Sequence, residues 1–369
     1  MIPKNWKAYL VWAIGVAIIA LLVAWGLLPK DTPIPPPPLP TFDDAQIQER
    51  CGWQRDDDAV KSVADTLLFK AFSDTPAGQA ADALPDHVYL WESFNKVLGR
   101  GPSSKDQAQI GSCVSFGTNN AVTYTLATQL ATQGGDAGQF RDIAEEVTYG
   151  GSRVQVGGGR IRGDGSVGAW AAQFVNKWGI VAREKHGEYD LTIYNVSRCR
   201  EFGSRGVPAP LQDIAKQRSV KDITLVKSWA EAKKALASGY AIAVCSDRGF
   251  RMQRDANGIC EPSGQWNHCM AIIGYATING REYGRIENSW GPNAHTGPLG
   301  PGNPPPSGFY ADSKVINGML GQGDSWAFSA VQGWPARKLN WFIRHDNRAE
   351  PLERLALNRQ REVLYAMAP

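Results

Sequence analysis

Two apolar runs, residues 269–275 and 283–287, flank the dipeptide Asn279-Gly280. Asn-Gly is a strong hairpin signal, because a type I′ turn needs positive φ at both central residues. The pair commits this stretch to two antiparallel strands, and a returning strand brings distant residues side by side. His268 stands at the start of the first strand, in WNHCMAIIGY, and Asn288 at the end of the second, in RIENSWG. The hairpin therefore predicts His268 and Asn288 as neighbours.

An imidazole oriented by an amide is half of a nucleophilic site, and the other half lies upstream. Residues 106–116 read DQAQIGSCVSF, with Cys113 leading into Val114, Phe116, Ala121, Val122 and Leu126 at helical spacing. A thiol at a helix start feels the positive end of the helix dipole, which favours thiolate. Gln107 is close enough upstream to fold back and aim its amide at whatever the sulfur attacks. Taken singly, these residues have bland readings. Cys113 would be a small buried hydrophobe, His268 a core histidine, Asn288 a turn former and Gln107 a surface side chain. Together they supply a nucleophile, a base, an acceptor that orients the base without adding charge, and a donor for an oxyanion.

In order and flanks these residues resemble the papain-like (C1) cysteine peptidases. DQAQIGSCVSF is similar to that family's NQGSCGSCWAF at the Gln, the Gly-Ser-Cys and the Phe; NHCMAIIGY and NSWG are similar to its His strand and its Asn-Ser-Trp-Gly. LPDHVYLWE (residues 84–92) resembles the mature N-terminal lead-in, and GFYADS (308–313) a later strand. The resemblance covers about residues 84–335. It implies a two-lobed α+β fold: a helical lobe carrying the nucleophile helix and an antiparallel, barrel-like sheet lobe. It also implies Cys113 as nucleophile, His268 as general base and acid, Asn288 as orienter, Gln107 in the oxyanion hole, and Trp290 as a shield over the His–Asn bond. Gly165 matches a glycine that pairs with substrate backbone, and Ser166 replaces a second glycine there. Val114 stands where the family has tryptophan. Ile110 replaces a disulfide cysteine, with Gly163 near its expected partner, so the framework disulfides are largely absent; a Cys245–Cys260 bridge is the remaining candidate. The His lies about 155 residues beyond the Cys, slightly past the usual 130–150. Such divergence is of the sort seen in bacterial and bacteriophage relatives.

The rest of the chain suggests how such a domain is mounted. Residues 8–28 carry no charge and are long enough to span a bilayer as helix, with tryptophans near both ends. A cleaved signal peptide is the rival, but its apolar core is usually about 7–15 residues. Lys4 and Lys7 before the run predict a cytoplasmic N-terminus, with the peptidase domain on the other side. Residues 31–41 hold TPIPPPPLP, a polyproline spacer or a docking site for a proline-binding partner. Residues 42–83 read as a helical arm, packed or inhibitory. Residues 336–369 are basic and amphipathic, suiting a helix packed on the domain, on another subunit in a homo-oligomer or larger assembly, or on a membrane surface.

Composition excludes other classes. A net charge of +3 without a basic, aromatic-laced patch argues against nucleic acid. Six cysteines without a CxxC, and five histidines, fit neither a zinc ribbon nor a thioredoxin-type motif. The chemistry itself requires no metal or organic cofactor. His87, His186, His295 and His345 lack catalytic context and read as surface residues. The expected substrate is a protein or peptide. The rival readings are a structural, virion-associated protein retaining the fold, and acyl chemistry on peptidoglycan or in transamidation.

Overall fold

The computed structural model describes residues 6–25, 27–29, 42–80, 83–337 and 339. The proline-rich spacer, at residues 31–41, and nearly all of the C-terminal arm lie outside them. In chain order, α1 (Trp6–Ala24), α2 (Asp44–Arg50), α3 (Asp57–Ala64) and α4 (Pro76–Gln79) precede β1 (His87–Tyr89) and α5 (Glu92–Leu98). Next come α6 (Cys113–Gln133), α7 (Glu145–Gly150), α8 (Gly168–Lys177), the ribbon β2 (Lys185–His186) and β3 (Tyr189–Asp190), α9 (Val196–Arg205) and α10 (Ala209–Ala215). The last part runs β4 (Asp222–Leu225), α11 (Trp229–Ala237), β5 (Ile242–Phe250), β6 (Pro262–Ile278), β7 (Arg281–Glu287), β8 (Gly308–Asp312), α12 (Ser313–Leu320) and β9 (Ser325–Ser329).

The fold is α+β. One antiparallel sheet has the order β4-β9-β5-β6-β7-β8, with β1 also pairing to β6. The path does not close: no pairing joins β4 to β8 among the described residues, so the barrel-like sheet of the sequence reading is open here. Asn279 (φ 49°) and Gly280 (φ 75°) make the turn between β6 and β7, with Ile278 opposite Arg281, as the Asn-Gly signal requires. Both neighbouring strands exceed their apolar runs. β6 begins at Pro262, and its exposed, polar first half pairs with the end of β5 through two register shifts. Solvent-facing strand residues leave no hydrophobic trace, which is why the sequence reading started this strand at residue 269. The strand expected over 309–315 stops at Asp312, whose carboxylate accepts from Lys314 N–H at 2.8 Å and caps α12.

α6 is buried along most of its length and packs on β5, β6 and β9. Its closest approach is at Gly117, where a Cβ would lie 2.7 Å from Cys269 Sγ. Only glycine lets helix and strand backbones meet there, and the contact sets Cys113, one turn earlier, beside the start of the His268 run. Residues 42–80, expected as an arm, share the same core: Trp53, Val63, Phe72 and Ala77 are all buried in it.

Two expectations are corrected. The apolar run 8–28 is not one helix. α1 stops at Ala24, and the N–H groups of Leu27 and Leu28 turn back to Leu22 O at 2.8 and 3.3 Å. The helical part of the run is about 25 Å long, short of a bilayer core of roughly 30 Å. Among the described residues, no helix is long and apolar enough to cross a membrane. The Cys245–Cys260 bridge is absent, and all six cysteines are free. Cys245 sits opposite Cys269 across β5 and β6, while Cys260 lies against His295.

A buried ion network ties the helices to the approach to the site. Glu146, fully buried, accepts from Arg183 at 2.8 Å, Arg198 at 2.9 Å and Asn195 N–H at 3.0 Å. Glu145 pairs with Arg183 and with Lys105, which precedes the Gln107 loop. Removing one partner of such a cluster leaves uncompensated buried charge. Glu146→Ala is expected to lower stability by about 3 kcal/mol, seen as a lower urea midpoint at constant m-value.

Candidate active site

Cys113 is the first residue of α6, follows the N-cap residue Ser112 and is fully buried. Burial pushes its thiol pKa well up, and the nearby thiols of Cys269 and Cys51 add to the rise. Backbone hydrogen bonds at Cys269 and Gly52 oppose it. The Cys269 bond puts the sulfur next to the residue that follows His268, so the helix start meets the strand.

His268 is also fully buried. Its Nε2 lies 2.9 Å from Asn288 Oδ1. Asn288 follows the end of β7, on the return strand of the hairpin. Because Oδ1 can only accept, Nε2 carries a proton and donates. Nδ1 is buried with no hydrogen-bond partner, the one ring atom left for proton exchange. Burial lowers the imidazole pKa to about 4, against the Asn288 bond that raises it. The Trp290 indole packs over the ring at 4.7 Å between centroids, and Trp266 stands behind Trp290 at 4.8 Å.

Gln107 is fully buried and held at both ends of its amide. Oε1 accepts from Ser289 Oγ at 2.6 Å, while its backbone N–H donates to Ser289 O at 2.8 Å. This fixes Nε2, which donates to Ile110 O at 2.7 Å and to Arg50 O at 2.8 Å. Gly165 has φ +119°, a backbone region that strongly favours glycine. Tyr149 OH accepts from its N–H at 3.0 Å, and Arg153 donates to the carbonyls of Gly163, Gly165 and Gly203. Arg153 is thus the side chain that gives the glycine-rich loop its shape. Ser166 Oγ lies 2.9 Å from Ser152 Oγ, turned away from the chain crossing in front of it.

That crossing chain is residues 50–54. Ser166 N–H donates to Gly52 O at 2.8 Å, Gln54 N–H donates to Ser166 O at 2.9 Å, and Trp53 N–H donates to Asn267 O at 2.9 Å. Trp53 and Ser166 form a parallel bridge. The Trp53 indole N–H donates to buried Asp324 at 2.8 Å, on a carboxylate also held by Trp326 and Gly168 N–H. The segment therefore occupies the same backbone groups that flank Cys113, His268 and Gln107. Residues 42–83 were expected to be packed or inhibitory; Trp53 is packed in the core, and the 50–54 stretch crosses beside Ser166 and Asn267.

The family model for the papain family cysteine protease matches residues 100–297, more than half of the chain. The chain belongs to the papain family of cysteine proteases. It is a cysteine peptidase, and its substrates are proteins. No curated protein matches the sequence. Among solved structures it is similar to digestive procathepsin L 3 of Tenebrio molitor larval midgut, with 16% identity, TM-score 0.48, and coverage of 88% of this chain and 90% of that one. It is also similar to xylellain, a cysteine protease from Xylella fastidiosa, with 16% identity, TM-score 0.47, and 80% and 95% coverage. A third is proCathepsin B S9 from Trypanosoma congolense, with 13% identity, TM-score 0.49, and 85% and 96% coverage. Family membership rests on the sequence match alone.

The structure brings Cys113, His268, Asn288, Gln107, Gly165, Ser166 and Trp290 into one region. The sequence reading missed Arg153, Asp324, the 50–54 segment and His295. Ser289, which holds Gln107, was in view as the second residue of NSWG. Nothing marked the others, because each acts through a loop contact that no spacing encodes. His295, read as a surface residue, is 1% exposed; its ring packs against Phe309 at 4.6 Å between centroids, tilted by 49°.

Gly52 is the tightest point of the crossing chain: a Cβ there would meet Gly111 O at 1.9 Å. Forcing a methyl into such a gap costs about 1–3 kcal/mol, roughly tenfold in the open population. Gly52→Ala is expected to raise the alkylation rate of Cys113 by iodoacetamide by about that factor, followed by peptide mapping. An unchanged rate would mean that the segment does not cover the thiol.

Proposed function

We propose that the chain is a cysteine endopeptidase acting through Cys113, His268 and Asn288, held in a self-occluded form by residues 50–54. The observation that carries this reading is the pairing of His268 Nε2 with Asn288 Oδ1 at 2.9 Å, with Nδ1 left buried and partnerless.

In the occluded form the site is dry. Burial raises the thiol pKa and lowers that of the imidazole, so both stay neutral and the nucleophile is unformed. When the segment leaves, water and substrate dipoles reverse both shifts. An extended peptide then takes over the backbone groups of Ser166 and Asn267. Cys113 gives its proton to His268 Nδ1 and the thiolate attacks the peptide carbonyl carbon. The developing oxyanion accepts from Gln107 Nε2, freed from Arg50 O, and from Cys113 N–H. Asn288 Oδ1 accepts from Nε2–H of the imidazolium and keeps the ring in place. His268 returns the proton to the leaving amine as the carbon–nitrogen bond breaks, giving a thioester. His268 then takes a proton from water, whose oxygen attacks the thioester and releases the acid and the Cys113 thiol. Trp290 keeps competing water from the His–Asn bond.

The covered thiol is also what a structural, virion-associated descendant of the fold would display. The two readings separate on activity. In full-length protein carrying Gly52→Ala, hydrolysis of a mixed peptide library is expected, Cys113→Ala should abolish it, and Gln107→Ala should lower kcat about 10²-fold. A Gly52→Ala protein whose Cys113 is freely alkylated yet which cuts nothing favours the structural reading.

For location, the reading keeps membrane attachment through the N-terminal apolar run. Its support is α1, on which Val11, Ile14, Ile18 and Leu21 are all exposed. A span is not proposed, since α1 is too short. Attachment predicts that the protein sediments with membranes and that deleting residues 1–29 releases it.

A further inference from the structure

Asn288 uses its oxygen on His268 and on the Ser289 N–H, at 2.9 and 2.8 Å. Its Nδ2 has a separate partner. It donates to His295 Nε2 at 3.1 Å. His295 lies in the loop between β7 and β8, and that loop is pinned. Arg254 donates to His295 O at 2.8 Å, to Pro306 O at 2.9 Å and to Gly308 O at 2.7 Å. Thr296 N–H donates to Met252 O at 2.9 Å. The other ring nitrogen, Nδ1, faces Cys260 Sγ at 3.8 Å, and a backbone hydrogen bond at Arg251 also engages the ring. An amide NH₂ can only donate, so Nε2 of His295 must be the unprotonated nitrogen, and the proton sits on Nδ1.

We propose that His295 is a positioning residue of the catalytic centre: by accepting from Asn288 Nδ2 it keeps the amide oxygen turned toward His268. This rests on the proposed roles of Cys113, His268 and Asn288. The consequence reaches the reacting atoms through tautomer selection. With Oδ1 toward the ring, His268 must carry its proton on Nε2, and Nδ1 is free to take the thiol proton. With the amide reversed, Nδ2 would face Nε2, which would then have to accept. The neutral ring would hold its proton on Nδ1 and could not act as base. The Ser289 N–H holds the oxygen end, and His295 holds the nitrogen end. Burial lowers the His295 pKa to about 3, and Arg254, Arg285 and His268 add to that effect, so the acceptor persists at working pH. The ring's packing on Phe309 fixes its plane, which a smaller acceptor would not do.

The test uses full-length protein carrying Gly52→Ala. His295→Phe keeps an aromatic ring against Phe309 and removes the acceptor. It should lower kcat about tenfold or more at nearly unchanged KM. His295→Gln, whose carbonyl can accept the same bond, should recover most of the loss. In an Asn288→Ala background His295→Phe should have little further effect. A His295→Phe enzyme within twofold of its parent, or the same loss with and without Asn288, would overturn the proposal. If Asn288→Ala itself left kcat intact, the reading of the site would fail instead. Independently of activity, nitrogen-15 NMR of the unsubstituted chain should show a coupling across the hydrogen bond between Asn288 Nδ2 and His295 Nε2. Its absence would overturn the proposal even if the variants failed to fold.

Discussion

The contact between α6 and β6 at Gly117 is the constraint on which the rest of the site depends. A Cβ at Gly117 would lie 2.7 Å from Cys269 Sγ, so the missing side chain permits the approach. The strand carries His268 and fixes β7, hence Asn288, through the hairpin register. The helix carries Cys113. Gln107 reaches the same place because Ser289, one residue past Asn288, holds both its backbone and its side chain. Three separate stretches of sequence are thereby referred to one strand.

Electrostatics and topology reinforce each other in this arrangement. The site is lined by indoles, buried backbone and neutral amides, and no carboxylate bonds to His268 among the described residues. In such surroundings burial disfavours the charged forms of both the thiol and the imidazole. The proposed coverage by residues 50–54 would therefore change the chemistry of the pair as well as access to it.

Much of this was legible in the sequence, and the parts that were not share a cause. The hairpin was readable because the Asn279-Gly280 turn has a strict backbone requirement. The start of α6 was readable because apolar spacing follows Cys113 at a helical period. Cys113, His268, Asn288 and Gln107 could be grouped because each sits in a short segment with its own composition. Asp324 and His295 had no such frame. Each becomes part of the site only by contact that spacing does not encode, Asp324 with the Trp53 indole 271 residues away and His295 with the Asn288 amide through an irregular loop. The length of α1 was misjudged for a local reason. Hydropathy records how apolar residues 25–28 are, but not that the backbone there curls back on Leu22. The disulfide guess failed because it paired cysteines without a register: strand pairing puts Cys245 opposite Cys269.

The crossing chain at residues 50–54 is part of the same polypeptide as the site, and this changes how substrates compete. A free inhibitor can be diluted away, whereas a tethered one is always present at an effective concentration on the order of millimolar. Under the proposed occlusion, a substrate would meet only the fraction of molecules whose segment has swung out, and its apparent affinity would be its intrinsic affinity scaled by that fraction. Activity then depends on a unimolecular equilibrium that is independent of enzyme concentration. Anything that grips the 42–80 region elsewhere, such as a surface, a neighbouring subunit or a cut in the chain, raises the output of the site without touching it.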